Sequence, residues 1–268
     1  MPLFSIITIS FNSEKTIERT IQSVLAQTYK DFEYLIVDGG SKDKTLDIVK
    51  QYEPLFEGRL KWKSEPDSGI YNAMNKGVIR SSGKIIGIVN SDDWLEPDAL
   101  RIVYDTIINE KLDLNKPLLI TGWIRYHYSD GLTQVMKANR HRYEYYAKRL
   151  RMGINHPATF VSRETYNEIG LFDENYKLFA DADFIVRCYR ANINTFFIDE
   201  TLSNMSDGGA SSRVTQKAYR DSMYRIDKYY PKNSFNNKMK KAKVGLHYLG
   251  SYLIPYPIVK IFRKKKNK

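Results

Sequence analysis

The sequence predicts an α/β fold in which a mostly parallel central sheet carries helices on both faces. Between residues 5 and 109, short apolar runs rich in β-branched residues alternate with segments of helical periodicity. This order is typical of parallel sheets. Three of the runs are followed by candidate ligand-binding segments, at 11–12, 38–40 and 91–93. Because ligands bind at the carboxyl ends of the strands in such sheets, these segments are expected to share one edge.

Each element of this first part has its own sequence signal. Ser13 is suited to cap a helix whose apolar positions recur at helical spacing, namely Ile17, Ile21, Val24 and Leu25. Gly39 and Gly40 close the second strand, and the helix after them turns Leu46 and Val49 inward. The predicted strands are 5–10, 33–38, 59–64 and 84–90, and the two later helices are 70–81 and 98–109.

The alternation weakens in the second half of the chain. Apolar runs predict four strands, and polar periodic segments predict three helices. A basic, tyrosine-rich stretch separates the first two of these strands. The predicted strands are 118–126, 158–162, 195–198 and 202–205; the predicted helices are 183–191, 216–228 and 236–248; the basic stretch is 140–151.

Length and composition limit the class of protein. A chain of 268 residues, of which 42% are hydrophobic, is long enough for one large α/β domain or slightly more. No window has the 18 apolar residues of a membrane span, and the N-terminus lacks the basic segment of a signal peptide. A single cysteine, Cys188, excludes an internal disulfide and fits a reducing cytosol.

The net charge of +11 is concentrated at the C-terminus. Residues 213–268 contain 16 Lys and Arg against 2 Asp and Glu, a net +14, whereas residues 1–212 carry 26 against 29, a net −3. We therefore expect a body at 1–212, with halves 1–100 and 101–212, and a basic helical extension at 213–268. A nearly neutral body does not indicate a nucleic-acid enzyme.

Two adjacent carboxylates, Asp92 and Asp93, end the apolar run 84–90. Like charges this close repel unless a cation compensates them, and Mg²⁺ or Mn²⁺ commonly bridges such carboxylates to a phosphate. The alternative is a helix cap before Pro97. Asp38 likewise either accepts a base N–H or simply forms a turn, and Phe11 either stacks on a planar ring or packs in the core.

Six motifs taken together resemble the family 2 glycosyltransferases, which are inverting enzymes with the GT-A fold. They are SIITISFNSEKTI at 5–17, VDGGSKDKT at 37–45, EPDSGIYNAMNKG at 65–77, NSDDWLEP at 90–97, HPATF at 156–160, and GLFDE at 170–174 with ADADF at 180–184. Their order spans residues 4–210. The subgroup that this chain resembles builds bacterial exopolysaccharide, capsule or O-antigen units. The fingerprints of dinucleotide-binding proteins and P-loop NTPases are absent.

The resemblance implies a nucleotide-sugar site in residues 1–100. Phe11 matches the stacking aromatic, with Asn12 beside it, and Asp38 matches the acid that contacts the base, for which UDP is the expected nucleotide. Asp67 lies in a donor-side motif, followed by Asn75 and Lys76. Asp92 matches the metal ligand of the family, with Asp93 as its neighbour and Mn²⁺ or Mg²⁺ as the ion. Asn90 stands where the family usually has the first acid.

The acceptor side is implied by the later motifs. Asp181 matches the general base of the family, with Asp183 as the second choice; helix capping is the structural alternative for both. His156 is expected to contact the acceptor or a phosphate. A basic set is either an acceptor-diphosphate contact or a solvated helix face: Arg140, Arg142, Lys148, Arg149 and Arg151.

The C-terminal tail holds six Lys and Arg in 260–268, directly after an aromatic and aliphatic segment, 252–262. Such a segment is expected to contact an anionic membrane, in keeping with a polyprenyl-diphosphate-linked acceptor and a cytoplasmic enzyme on the inner face of the plasma membrane. The alternative is a solubilising tail without structure. Two other functions stay open at this point: a sugar nucleotidyltransferase, and a basic binding protein that is not an enzyme.

Overall fold

The computed structural model describes residues 1–207 and 215–253. The described residues form two compact units: residues 1–175 with 180–207, and residues 176–179 with 215–253. The predicted boundary between 212 and 213 and the polybasic tail both lie outside the described residues.

Nine strands of the described part form one sheet in the first unit. Their order across the sheet is β3-β2-β1-β4-β8-β6-β9-β5, and β7 pairs with β6. The strands are β1 Phe4–Ser10, β2 Phe32–Asp38, β3 Leu60–Ser64, β4 Ile85–Ile88, β5 Trp94–Leu95, β6 Leu118–His127, β7 Thr133–Met136, β8 Thr159–Ser162 and β9 Asn194–Ser206.

The helices follow the strands in the order that the sequence predicts for the first part of the chain. Short 3₁₀ helices also occur at Glu53–Phe56 and His156–Ala158. The α-helices of the described part are α1 Ile17–Leu25, α2 Thr45–Tyr52, α3 Ile70–Arg80, α4 Ala99–Asn109, α5 Arg140–Ala147, α6 Arg163–Ile169, α7 Ala180–Arg190, α8 Gln216–Tyr229 and α9 Phe235–Leu253.

Strands β3, β2, β1 and β4 run parallel, as predicted, and every residue of β1, β2 and β4 is buried. Their register brings the ends of three strands level, because Ser10 pairs with Asp38 and Asp38 pairs with Ser64. The loops that follow these strands therefore begin at a common edge, which we call the carboxyl edge.

The second half of the sheet reverses direction. Strand β8 is antiparallel to both β4 and β6, with Gly87 paired to Phe160 and Thr121 to Thr159. Because β8 begins where β4 ends, the segment 156–158 lies at the carboxyl edge beside the segment that follows β4. The antiparallel half thus adds the HPATF motif at 156–160 to the same edge.

Several predicted boundaries need correction. Helix α1 begins at Ile17 after Thr16, so Ser13 does not cap it with its side chain. Strand β9 is continuous from Asn194 to Ser206, where two short strands were predicted, and α7 begins at Ala180, three residues earlier than predicted. Elements β5, β7 and α6 were not predicted.

The opposite edge of the parallel strands is fastened by Glu33, a buried carboxylate. It accepts hydrogen bonds from the hydroxyls of Ser5 (2.7 Å) and Ser82 (2.8 Å), and it forms an ion pair with Lys61 (3.1 Å). Burial would raise the pKa of Glu33, but these hydrogen bonds lower it to about 2. This cluster stabilises the sheet at the end remote from the carboxyl edge.

The second unit contains α8 and α9 together with residues 176–179. Asp221 of α8 is buried and accepts hydrogen bonds from three consecutive N–H groups, those of Lys177, Leu178 and Phe179, at 2.6–3.1 Å. Among the described residues, no helix has the length and apolar character needed to cross a membrane.

Candidate active site

Asp38 holds the first three loops of the carboxyl edge together. It is fully buried; Oδ1 accepts from the hydroxyls of Ser10 (3.0 Å) and Ser41, and Oδ2 accepts from the hydroxyl of Ser64 (2.7 Å) and the N–H groups of Gly40 (3.0 Å) and Ser41 (2.8 Å). Burial would raise the pKa of Asp38, but these hydrogen bonds hold it below its usual value. Both oxygens are occupied, so the structure does not support the predicted contact between Asp38 and a base.

Phe11 and Asn12 form the loop after β1. The Asn12 backbone lies in the left-handed region, with φ of 49°. Its N–H donates to the Ser41 hydroxyl (2.8 Å), and its side-chain oxygen accepts from the Lys42 N–H (2.9 Å). Asn12 thus fixes the loop, and the Phe11 ring is left 62% exposed, which suits stacking and disfavours the core alternative.

The Asp67 carboxylate lies against Gly39 and close to this ring. A Cβ atom built on Gly39 would collide with Asp67 Oδ2 and would lie 3.4 Å from Phe11 Cδ2. The other oxygen, Oδ1, accepts from the Gly69 N–H at 2.8 Å. Only glycine at position 39 allows this approach, which places a carboxylate oxygen beside an exposed aromatic ring.

The segment 90–93 after β4 carries the paired carboxylates. Asp93 is 1% exposed; it accepts from the Asn90 amide (3.2 Å) and the Ser206 N–H (3.4 Å). Burial, with repulsion from Asp92, raises the pKa of Asp93 to about 8. Burial also raises the pKa of Asp92, which is partly exposed. Neither carboxylate caps α4, so the helix-cap alternative is wrong.

Helix α1 supports this segment through residues that the sequence did not single out. The Arg19 guanidinium lies 3.5 Å from the centroid of the Trp94 ring and donates to the Asp92 carbonyl (2.9 Å). The Thr20 hydroxyl donates to the Asp93 carbonyl at 2.6 Å. No motif marks Arg19 or Thr20, because only the fold brings α1 to the carboxylates.

The paired carboxylates and their surroundings fit a divalent cation. The side-chain oxygen of Asn90 is buried and has no hydrogen-bond partner among the described residues. In that part of the chain no group of three or more His, Cys, Asp or Glu side chains forms a metal cluster. A site with two carboxylates suits Mg²⁺ or Mn²⁺, which usually complete their coordination with water and substrate phosphate.

Asp181 is the second residue of α7 and is held by Tyr71 of α3. Its Oδ1 accepts from the Tyr71 hydroxyl (3.1 Å) and from the Ala182 N–H (2.8 Å). Tyr71 is 5% exposed, and burial together with the negative charge of Asp181 raises its pKa. Since Tyr71 lies four residues after Asp67, this hydrogen bond connects the loop after β3 to the candidate base.

His156 lies in the 3₁₀ helix that precedes β8. Its ring packs against Phe172 at a centroid distance of 6.1 Å. Burial lowers the pKa of His156, while the nearby charge of Asp181 acts in the opposite direction. His156 therefore lies close enough to Asp181 for the charge of that carboxylate to act on its pKa.

Two residues that were predicted to belong to the site, Asn75 and Asp183, make contacts within the protein. The Asn75 side-chain NH₂ donates to the Phe172 carbonyl (2.9 Å), and its oxygen accepts from the Phe172 N–H (3.0 Å). Asn75 therefore fixes the segment before α7 instead of binding the nucleotide sugar. Asp183 is fully buried and forms an ion pair with Arg187 (2.9 Å). This burial is not compatible with Asp183 as the alternative general base or as a contact to the acceptor or a phosphate.

The basic residues near the site are also engaged elsewhere. Lys76 forms an ion pair with Glu65 at 3.1 Å and donates to the Pro66 carbonyl at 2.8 Å. Arg140 donates to the Thr195 carbonyl, and Arg149 lies 3.7 Å from the centroid of the Tyr145 ring. For these side chains the structural alternatives fit better than a phosphate contact.

A parallel half-sheet with acidic loops at its carboxyl edge, continued by an antiparallel half, is the architecture of the GT-A glycosyltransferases. The chain belongs to glycosyl transferase family 2, whose sequence profile matches residues 5–170. The resemblance that the motifs carry is thereby confirmed, and neither a nucleotidyltransferase nor a non-enzymatic binding protein is needed to explain them.

Relatives share most of the length of the chain. A PGL/p-HBAD biosynthesis glycosyltransferase of Mycobacterium tuberculosis is 31% identical over 226 residues, which are 81% of this chain and 82% of the relative.

Solved structures share the fold at low identity. S. aureus TarS 1-349 in complex with UDP-GlcNAc has a TM-score of 0.65 and 19% identity, covering 93% of this chain and 72% of that one; the match covers 43% of the longer TarS chain. The Pyrobaculum calidifontis mannosyltransferase PcManGT, in complex with GDP-Man and Mn²⁺, has a TM-score of 0.61 and 14% identity, covering 99% and 79%.

Proposed function

We propose that this glycosyltransferase moves a sugar from a UDP-linked donor to a saccharide acceptor, with inversion, in the synthesis of a bacterial surface polysaccharide or glycolipid. The observation that carries the proposal is the carboxyl edge, where an exposed Phe11 ring, the Asp67 carboxylate and the Asp92–Asp93 pair follow neighbouring strands. The mycobacterial relative named for PGL/p-HBAD biosynthesis and the TarS complex with UDP-GlcNAc support the acceptor and donor classes.

The nucleobase stacks on Phe11 and is read by Asp67. Uracil presents a ring N–H at its edge, and a carboxylate is a strong acceptor for such a donor. Asp67 Oδ2 faces the space beside Gly39 and Phe11, whereas the Asp38 oxygens are occupied. The structure therefore supports Asp67 for the base contact that the resemblance assigned to Asp38.

Asp92 and Asp93 hold a divalent cation, with Asp92 as the more accessible ligand. The ion, when bound, neutralises charge on the diphosphate leaving group. Asn90, in place of the usual acid, contributes an amide oxygen that is neutral and buried. Arg19 and Thr20 keep both aspartates in position through the backbone carbonyls of the segment. The Mn²⁺ in the PcManGT complex supports this assignment.

Asp181 acts as the general base. It takes the proton of the acceptor hydroxyl as that oxygen attacks the anomeric carbon, and the bond from this carbon to the diphosphate breaks on the opposite side. The configuration is therefore inverted. Because the Tyr71 hydroxyl and the Ala182 N–H both donate to Oδ1, the Oδ2 atom is the one available to the acceptor. Tyr71 is a positioning residue for this base.

The acceptor is proposed to be lipid-linked, with His156 beside it. His156 neighbours Asp181, and its lowered pKa leaves the imidazole neutral near pH 7, able to hydrogen-bond a hydroxyl. A polyprenyl-diphosphate carrier fits the basic C-terminal region and a cytoplasmic enzyme at the inner face of the plasma membrane.

Nucleotide binding tests the donor half of the proposal. Thermal shift of the full-length protein with UDP, GDP or dTDP, each with and without Mn²⁺, should show stabilisation by UDP that requires the metal. Asp92→Ala should abolish the metal-dependent part, and Asp98→Ala, at an acid just beyond the site, is the matched control. Equal stabilisation of wild type and Asp92→Ala by UDP with Mn²⁺ would exclude Asp92 as a metal ligand.

A further inference from the structure

Helix α9 exposes a row of large apolar side chains. Phe235, Met239, Leu246 and Leu249 are 76%, 55%, 72% and 63% exposed. At about 100° per residue, their positions fall within an arc of roughly 80° on one face of the helix. We call these four side chains the α9 stripe. Isolated exposed apolar residues are ordinary, but a continuous row of this kind indicates a contact surface.

The opposite face of α9 is the one that packs within its own unit. Asn237 is buried and donates to Asp227 of α8 at 3.1 Å, and Lys241 forms an ion pair with the same carboxylate at 2.6 Å. The Tyr248 ring lies 4.6 Å from that of Tyr219. The stripe is therefore not the face that α9 uses to fold against α8.

The charge around the stripe indicates which partner covers it. Exposed lysines border it on both sides, Lys238 on one flank and Lys243 on the other. Residues 228–268 contain 12 Lys and Arg and neither Asp nor Glu. A second copy of the chain would bring like charges together across the stripe. A surface of anionic phosphates complements them.

We infer that the α9 stripe is a docking surface for an anionic lipid bilayer. The helix lies in the plane of the interface, with the four apolar side chains among the acyl chains and the lysine stems extending to the phosphates. Each lysine close to an anionic leaflet adds attraction that salt weakens. This surface is independent of the donor chemistry and is distinct from the polybasic tail.

The test compares full-length variants in sedimentation with vesicles of phosphatidylglycerol and phosphatidylcholine. Leu246→Gln with Leu249→Gln removes the C-terminal half of the stripe and keeps good helix formers and the whole tail. Ile79→Gln with Ile108→Gln is the matched control, since these side chains are 68% and 55% exposed on α3 and α4. Circular dichroism and thermal melting verify that each variant is folded.

The stripe variant should bind these vesicles at least about tenfold more weakly than wild type, because two leucines no longer enter the interface. The control should bind like wild type, and pure phosphatidylcholine should retain little of either protein. Wild-type binding by the stripe variant would overturn the inference and leave the tail as the membrane contact. If light scattering showed that the wild-type protein is a dimer and the stripe variant is not, with vesicle binding unchanged, the inference would be overturned in favour of self-association through the stripe. None of these results depends on which sugar or nucleotide the enzyme uses.

Discussion

Replacing Gly39 by alanine should weaken nucleotide binding without unfolding the protein. The backbone of Gly39 lies outside the left-handed region, so alanine is conformationally permitted there. The new Cβ would come closer than 3.0 Å to Asp67 Oδ2, the far end of a short side chain that can move aside. To reach ordinary contact, the oxygen must shift by roughly 1 Å. That shift is enough to break a hydrogen bond from Oδ2 to a base.

The expected loss follows from the kind of bond. A hydrogen bond to a charged group contributes about 1.5–3 kcal/mol, so the Kd for UDP in the presence of Mn²⁺ should rise about 10- to 100-fold. Isothermal titration of wild type, Gly39→Ala, Asp67→Ala and the double variant measures this. Once Asp67 is absent, alanine at position 39 should cost little more, giving a strongly non-additive cycle. Wild-type affinity in Gly39→Ala, or an equal cost in both backgrounds, would refute the assignment of Asp67.

Three further outcomes are expected. Tyr71→Phe should lower kcat by about 10-fold or more with the KM for the nucleotide sugar unchanged, because Asp181 loses the hydrogen bond from the Tyr71 hydroxyl. Tyr166→Phe, at a buried tyrosine outside this contact, should leave kcat unchanged. Glu33→Gln should lower the free energy of unfolding by about 2 kcal/mol in urea titrations and leave UDP affinity unchanged, since Glu33 lies at the opposite edge. In EDTA, the wild-type protein should lose stability as the pH rises from about 4 to about 8, because in this range Asp93 keeps its proton only in the folded state. The Asp93→Asn variant should lack this part of the pH dependence. Identical pH dependence of the two proteins in thermal melts would contradict the raised pKa of Asp93.

The parallel half of the fold could be predicted because three of its strands, β1, β2 and β4, are buried on both faces and are therefore largely apolar. The missed elements lack that signal. Strand β5 has only two residues, and β7 is half exposed, so neither presents an apolar run. Strand β9 looked like two strands because the polar residues 199–201 interrupt it, yet an irregular register at Trp123 lets β6 pair with it on both sides of the interruption.

The candidate site was predictable where strand ends gather the loops, and not where side chains meet across the fold. Asp38 and Asp67 both looked like donor residues, but only the structure distinguishes a saturated carboxylate from one beside an exposed ring. Asp181 was assigned as the candidate base from its motif. The hydroxyl that holds it belongs to Tyr71, 110 residues away in the sequence, and no local pattern links the two.

The most direct test of the account separates donor binding from transfer at Asp181. The Asp181→Asn variant, supplied with a UDP-sugar, Mn²⁺ and a saccharide acceptor, should bind the donor with the affinity of wild type and form no glycoside. The amide keeps the shape of the side chain but does not take the acceptor proton. Glycoside formation by Asp181→Asn at the native rate would contradict the account, because another group would then be the base.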